Sequence, residues 1–230
     1  IIGEAEKRST AYHEAGHCIV AMMGPGADPV HKITIIPRGQ AGGYALMLPE
    51  EEESFLETRK GLLDRITGLL AGRVSEELIF NEVSTGAHND FQKATEIARS
   101  MVTEYGMSSL GPIQYEKRSG SVFLGRDYNA DKSFSDQVAL EIDEEVRKII
   151  NESYKIAKVV LLENVDLLKN IAQHLLDIET LTKEDIYEIV ETGKLSWWEK
   201  KKLKTSKELK PVEPIQTEKK VTISDERVPN

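Results

Sequence analysis

The sequence predicts a mainly α fold with a small β-hairpin or sheet element and long C-terminal helices. Three observations predict it. Apolar residues recur at helical spacing over long stretches, as in Leu62, Leu63, Ile66, Leu69, Leu70, Val74, Leu78 and Ile79. Only one run, Val30-His31-Lys32-Ile33-Thr34-Ile35-Ile36, is strongly β-branched and closed by Pro37 and Gly39. Helix caps and glycine stops fall at the ends of the periodic stretches.

Taken in order, Glu4 to Met23 read as a first helix, ended by Gly24-Pro25-Gly26-Ala27-Asp28-Pro29. The strand over residues 30–36 follows, and a second short strand is expected at 43–48, after the Gly42-Gly43 turn. The two suit a pair, and little else in the chain reads as strand. Residues 54–80 predict a long amphipathic helix, followed by a loop over 81–88. Asn89 reads as the N-cap of a helix to Tyr105, which Gly106 stops. Residues 107–134 read as irregular, with short extended pieces near 113–115 and 122–124. Ser135 caps a long helix to about Leu162, and another spans about 165–176. Thr182 with Asp185 resembles a capping box for a last, short helix.

The chain has 230 residues, 30% of them charged and 40% hydrophobic, an ordinary globular balance. No run of about 18 apolar residues suits a membrane span, and the polar start (Glu4, Glu6, Lys7, Arg8) is unlike a signal peptide. The first residue is not Met, which points to a fragment or a processed product. The single cysteine, Cys18, excludes an intrachain disulfide, fits a reducing compartment and reads as a small buried hydrophobe. A net charge of −9 argues against a nucleic-acid partner. Residues 196–230 hold nine Lys/Arg and six Asp/Glu together with Pro211, Pro214 and Pro229, and read as a mostly disordered tail.

The chemistry is concentrated in His13-Glu14-Ala15-Gly16-His17, an H-E-x-x-H pattern within the first helix. Residues i and i+4 share a helix face, so both imidazoles reach one metal ion. Two neutral imidazole nitrogens suit Zn²⁺, and Glu14 stands where a carboxylate can take a proton from water. The pattern is the zinc-metalloprotease signature. A catalytic zinc takes three protein ligands, and the continuation H-x-x-G-x-x-H is absent, since Val20 and Met23 occupy those places. The candidates for the third ligand are Glu76, Glu77, His31, His88 and Asp90. His31 reads as a strand-surface residue and His88 as a solvated loop residue. Glu76 and Glu77 end an amphipathic helix, as the third ligand of thermolysin-like enzymes does. Asp90 opens a helix, where an acid also favours the helix dipole. Spacing leaves Asp90 and the glutamate pair level.

Further segments carry a family resemblance. Ala5-Glu6-Lys7, Tyr12 to His17, Ile35-Ile36-Pro37-Arg38-Gly39, Ala71-Gly72-Arg73-Val74-Ser75-Glu76-Glu77 and Ser84-Thr85-Gly86-Ala87-His88-Asn89-Asp90 stand in order. Met101-Val102, Gly106-Met107-Ser108, Leu110-Gly111-Pro112, Phe123-Leu124-Gly125 and Ile142 to Val146 continue the series. Over about residues 4–192 the chain resembles the peptidase domain of the FtsH family, membrane-anchored AAA+ zinc proteases of bacteria and organelles. The resemblance implies His13, His17 and Asp90 as zinc ligands, Glu14 as catalytic base and Glu76 as a residue orienting a ligand histidine. It divides the chain into a zinc peptidase domain, residues 1–195, and the tail, 196–230. It implies a metalloendopeptidase, the proteolytic module of an ATP-dependent protease that degrades unfolded or membrane proteins. No G-x-x-x-x-G-K-[ST] loop is present, so the chain does not bind ATP by that route, and the resemblance implies an ATPase domain and a membrane anchor upstream. The resemblance further implies a homohexamer, protein or peptide substrates, and a place at the cytoplasmic face of the inner membrane or its organellar equivalent, this segment itself being soluble. A free-standing soluble zinc peptidase and a non-catalytic hexamer-assembly module are the alternative readings.

Overall fold

Helix α1, Glu4–Met23, is buried without interruption from Ala11 to Ala21. A helix covered on all sides needs small residues where neighbours press closest, and Ala11, Ala15 and Gly16 are fully or almost fully enclosed. The computed structural model describes residues 3–24, 29–37, 42–47, 56–116 and 134–208. Gly24 ends α1, its N–H donating to the Val20 carbonyl at 2.9 Å.

A three-stranded antiparallel sheet lies against α1. It has β1 (Val30–Thr34) in the centre, β2 (Tyr44–Met47) on one side and β3 (Thr180–Thr182) on the other. Ile33 pairs with Ala45 and Leu181, and a bulge interrupts the β1–β2 ladder between Val30 and Lys32. The expected pairing of the first two strands is thus present. The third strand is new relative to the sequence reading. Its three residues carry no detectable alternation, and Thr182 doubles as a helix cap.

Helix α2, Arg59–Phe80, begins later than expected because the Thr58 side chain accepts the Gly61 N–H and fixes the start. Its residues Leu62, Ile66 and Leu70 meet Ala94, Ala98, Met101 and Val102 of α3 (His88–Thr103) and Ile142 and Ile149 of α4 (Asp136–Glu163) in the main core. Ser135 caps α4 through the Val138 N–H, as expected. Helix α5, Val165–Ile178, packs on α1. Helix α6, Lys183–Thr192, opens with the anticipated Thr182–Asp185 capping box.

Two expectations are corrected. Asn89 is not a cap but lies inside α3. Ser84 instead caps a 3-10 turn, Thr85–Ala87, through the Gly86 N–H, and that turn runs straight into α3. Residues 113–116 form no strand, and the piece expected at 122–124 lies outside the described residues.

The chain divides into two compact units, Ile1–Gly193 and Lys194–Asn230. In the second, α7 spans Ser196–Glu208, so the first part of the stretch read as disordered is helical. Lys, Glu and Leu there are good helix formers, and Lys201 and Lys202 sit 5.4 and 5.3 Å from the Trp198 ring centre. The rest of that stretch, 209–230, lies outside the described residues.

The close crossing of α1 and α2 depends on Gly16. A Cβ there would stand 2.6 Å from Ser75 Cβ and 2.8 Å from the Ala71 carbonyl oxygen. Gly16→Ala is therefore expected to destabilise the chain by ~1–3 kcal/mol through overpacking. The measurement is the unfolding midpoint by circular dichroism, and an unchanged midpoint would mean the helices separate freely at this point.

Candidate metal centre

The two histidines of the H-E-x-x-H pattern project from one face of α1, and both are buried, at 7% exposure each. Their Nε2 atoms lie 3.1 Å apart. The opposite nitrogen of each ring is held by α2. His13 Nδ1 donates to Glu76 Oε1 at 2.6 Å, and His17 Nδ1 donates to the Gly68 carbonyl at 2.8 Å. Carboxylate and carbonyl oxygens only accept, so each Nδ1 carries the hydrogen and each Nε2 of a neutral ring is left as a lone pair. Between these two anchors stands Gly72. A Cβ at Gly72 would lie 2.5 Å from His13 Cε1 and Nε2. Positions 68, 72 and 76 are four residues apart, so one face of α2 forms the bed for both imidazoles.

Asp90, in the first turn of α3, brings the third atom. Its Oδ2 lies 3.2 Å from His13 Nε2 and 3.5 Å from His17 Nε2. A tetrahedral ion with bonds of about 2.0–2.1 Å needs ligand atoms about 3.3 Å apart. The triangle has that size, and its corners are two nitrogen lone pairs and a carboxylate. With both rings neutral, three acceptors face one point, an arrangement that a shared cation relieves. Among the described residues this is the group of three such side chains able to hold a metal ion.

The electrostatics agree. Burial disfavours a charged His13, yet hydrogen bonds to Asp90 and Glu76 and the charges of Glu14 and Glu76 outweigh it, raising its pKa to about 9. Burial would raise Asp90, but its bonds to His13 and His17 hold it far below the usual carboxylate range. Glu76 is likewise lowered: burial opposes, and the bonds from His13 and Ser84 prevail. The pocket therefore favours positive charge where the lone pairs meet. Glu14, 5% exposed, is different: burial pushes its pKa up, against the opposing pull of His17 and His13. A raised carboxylate is suited to taking and returning a proton.

The other candidates are placed elsewhere. Glu77 faces α4, bonded to the Tyr154 hydroxyl and 3.6 Å from Lys158 Nζ. His88 is exposed, and His31 is half-buried in β1. Glu76 lies behind His13, on the nitrogen remote from Asp90. Burial pushes the Cys18 thiol up to about 12, consistent with a buried hydrophobe. Sequence reasoning missed the Gly68 carbonyl and Gly72. The four-residue spacing from Gly68 through Gly72 to Glu76 was the only signal for them.

The chain is similar to known proteins over most of its length. A sequence model of the family described as Peptidase family M41 matches residues 1–189. The protein named ATP-dependent zinc metalloprotease FtsH of Acholeplasma laidlawii is 58% identical over 198 residues, covering 86% of this chain and 31% of that protein. The protein of the same name from Bacillus subtilis is 56% identical over 197 residues, 85% of this chain and 31% of the relative. That of Aster yellows witches'-broom phytoplasma is 51% identical over 222 residues, 96% of this chain and 31% of the relative, so the similarity reaches beyond Ser196. The chain spans about a third of the length of these curated relatives.

Gly72→Ala is expected to push His13 off its bed and weaken zinc binding by roughly 10–100-fold, the usual effect of disturbing what orients a ligand. Competition with a coloured chelator measures it. Wild-type affinity in this variant would show that the ring has room to move.

Proposed function

This chain belongs to peptidase family M41, and we propose that it is a zinc-dependent endopeptidase module. In this reading His13, His17 and Asp90 hold the ion, Glu14 is the general base, and Glu76 orients His13. The observation that carries it is the convergence of three acceptor atoms, 3.1–3.5 Å apart, beside the Glu14 of the same helix. When bound, zinc lowers the pKa of water towards ~7 and polarises the scissile carbonyl.

The remaining steps belong to the chain's own residues. Glu14 accepts a proton from the attacking water and delivers it to the leaving amine, and its raised pKa suits both transfers. Glu76 and the Gly68 carbonyl hold the two imidazoles with Nε2 towards the ion. Peptide substrate is read as binding along β2, which borders the sheet on one side. Gly43, just before β2, supports this placement: a Cβ there would stand 3.0 Å from Glu14 Cγ, so the strand begins against the base. Backbone pairing along an edge tolerates many side chains, which suits unfolded protein substrates.

The relatives' name, ATP-dependent zinc metalloprotease, supports the ATP dependence, and the rest of the wider context follows from the family resemblance. The whole protein is read as an ATP-dependent protease whose ATPase domain and membrane anchor lie outside this chain and which works as a homohexamer at the cytoplasmic face of a membrane. Among the described residues no helix is long and apolar enough to cross a membrane.

Two sets of variants test the site. Glu14→Gln should keep about one zinc per chain, by elemental analysis, and lower cleavage of an unfolded, fluorescently labelled protein by ~10²–10⁴-fold. Retained cleavage would remove Glu14 from the mechanism. Asp90→Asn should weaken zinc binding. Zinc lost in Glu76→Gln but kept in Asp90→Asn would exchange the roles of these two acids.

A further inference from the structure

Asp90 reaches the imidazole pair only if α3 begins where it does, yet α3 has no side-chain cap of its own at Ala87. The preceding loop is fixed from α2 instead. Ser84 is gripped on both sides of its backbone: Arg73 Nη2 donates to its carbonyl at 2.8 Å, and Glu76 Oε2 accepts its N–H at 2.9 Å. The guanidinium carbon of Arg73 also lies 4.6 Å over the ring of Phe91, the residue after Asp90. Arg73 thus touches the chain both before and after the turn that delivers Asp90. The contacts close a circuit: His13 to Glu76, Glu76 to Ser84, Ser84 to Arg73, Arg73 to Phe91, and Asp90 back to His13.

We infer that Arg73 is a positioning residue for the metal centre, setting the distance between Asp90 and the two histidines by clamping the Ser84 backbone and the Phe91 ring at once. The guanidinium is placed to serve the Ser84 carbonyl and the Phe91 ring together. Only a planar fork does both, since the ammonium of a lysine is a point charge that cannot lie flat on a ring while donating sideways.

The inference rests on Asp90 being the third ligand, and the experiment separates the two. Zinc affinity is measured by chelator competition for the whole chain, for Asp90→Asn, and for Arg73→Gln and Arg73→Lys. The cobalt(II) form of each supplies a visible spectrum that reports ligand geometry. The melting of each metal-free chain serves as control. The expected result is a loss of zinc affinity of roughly 10–100-fold in both Arg73 variants, with an altered cobalt spectrum and nearly unchanged metal-free melting. Wild-type affinity and spectrum in Arg73→Gln, or full restoration by Arg73→Lys, would overturn the clamp while Asp90→Asn still showed the ligand role. Unchanged affinity in Asp90→Asn would instead sink the ligand assignment itself. Should Arg73→Gln fail to fold, Phe91→Leu, which removes the ring but keeps an apolar side chain, decides by the same affinity and spectrum.

Discussion

The near-contact of α1 with α2 is the constraint from which the candidate site is built. Gly16 lets α1 press against Ala71 and Ser75, and the Ser75 hydroxyl donates to the Tyr12 carbonyl at 2.6 Å. At this distance the α2 backbone itself supports the two imidazoles. The Gly68 carbonyl reaches His17, and the bare Cα of Gly72 leaves the space that the His13 ring occupies. Larger residues at either glycine would move the helices apart by a fraction of a side chain, and metal geometry tolerates less than that.

Burial then makes the polar contacts mutually dependent. His13, Glu14, His17 and Glu76 are all less than a tenth exposed. A buried charge without its partner is strongly unfavourable, so each of these groups constrains the protonation of the others. Of the three acids at the candidate site, Glu14 has its pKa pushed up, while Asp90 and Glu76 are held low by histidine contacts. The pocket thus contains carboxylates in two electrostatic settings. Those bonded to imidazole stay ionised and suit holding or orienting, and the one governed by burial suits proton transfer.

Much of this was legible in the sequence, for local reasons. The i, i+4 histidines lie within one helical turn, so their shared face follows from geometry alone. The helices from α1 to α6 announce themselves through apolar period, Ser135 and the Thr182–Asp185 box. The third corner was not legible from spacing, because it lies more than seventy residues from His13 and depends on how α3 docks. Asp90, Glu76 and Glu77 look alike as letters, and only their directions distinguish them. The Gly68 contribution is a backbone carbonyl, which every residue has. β3 is too short to show a period, and Asn89 caps nothing because a 3-10 turn capped by Ser84 runs into the helix before it. α7 was obscured by its lysine-rich composition, which suits both helix and solvated chain.

The four-residue ladder of Gly68, Gly72 and Glu76 also makes α2 a segment whose length is fixed as firmly as its residues. Each position in a helix is turned by about 100° from the last. Removing or adding one residue between Gly68 and Glu76 would leave every amino acid of the site present. It would also turn one anchor by about 100° about the helix axis relative to the other, away from the imidazole it holds. Substitutions along the outer face of this stretch are open to the chain, whereas changes of register are closed to it. In this part of the gene, a whole-codon insertion or deletion disturbs the bed of both imidazoles without changing any residue of the candidate site.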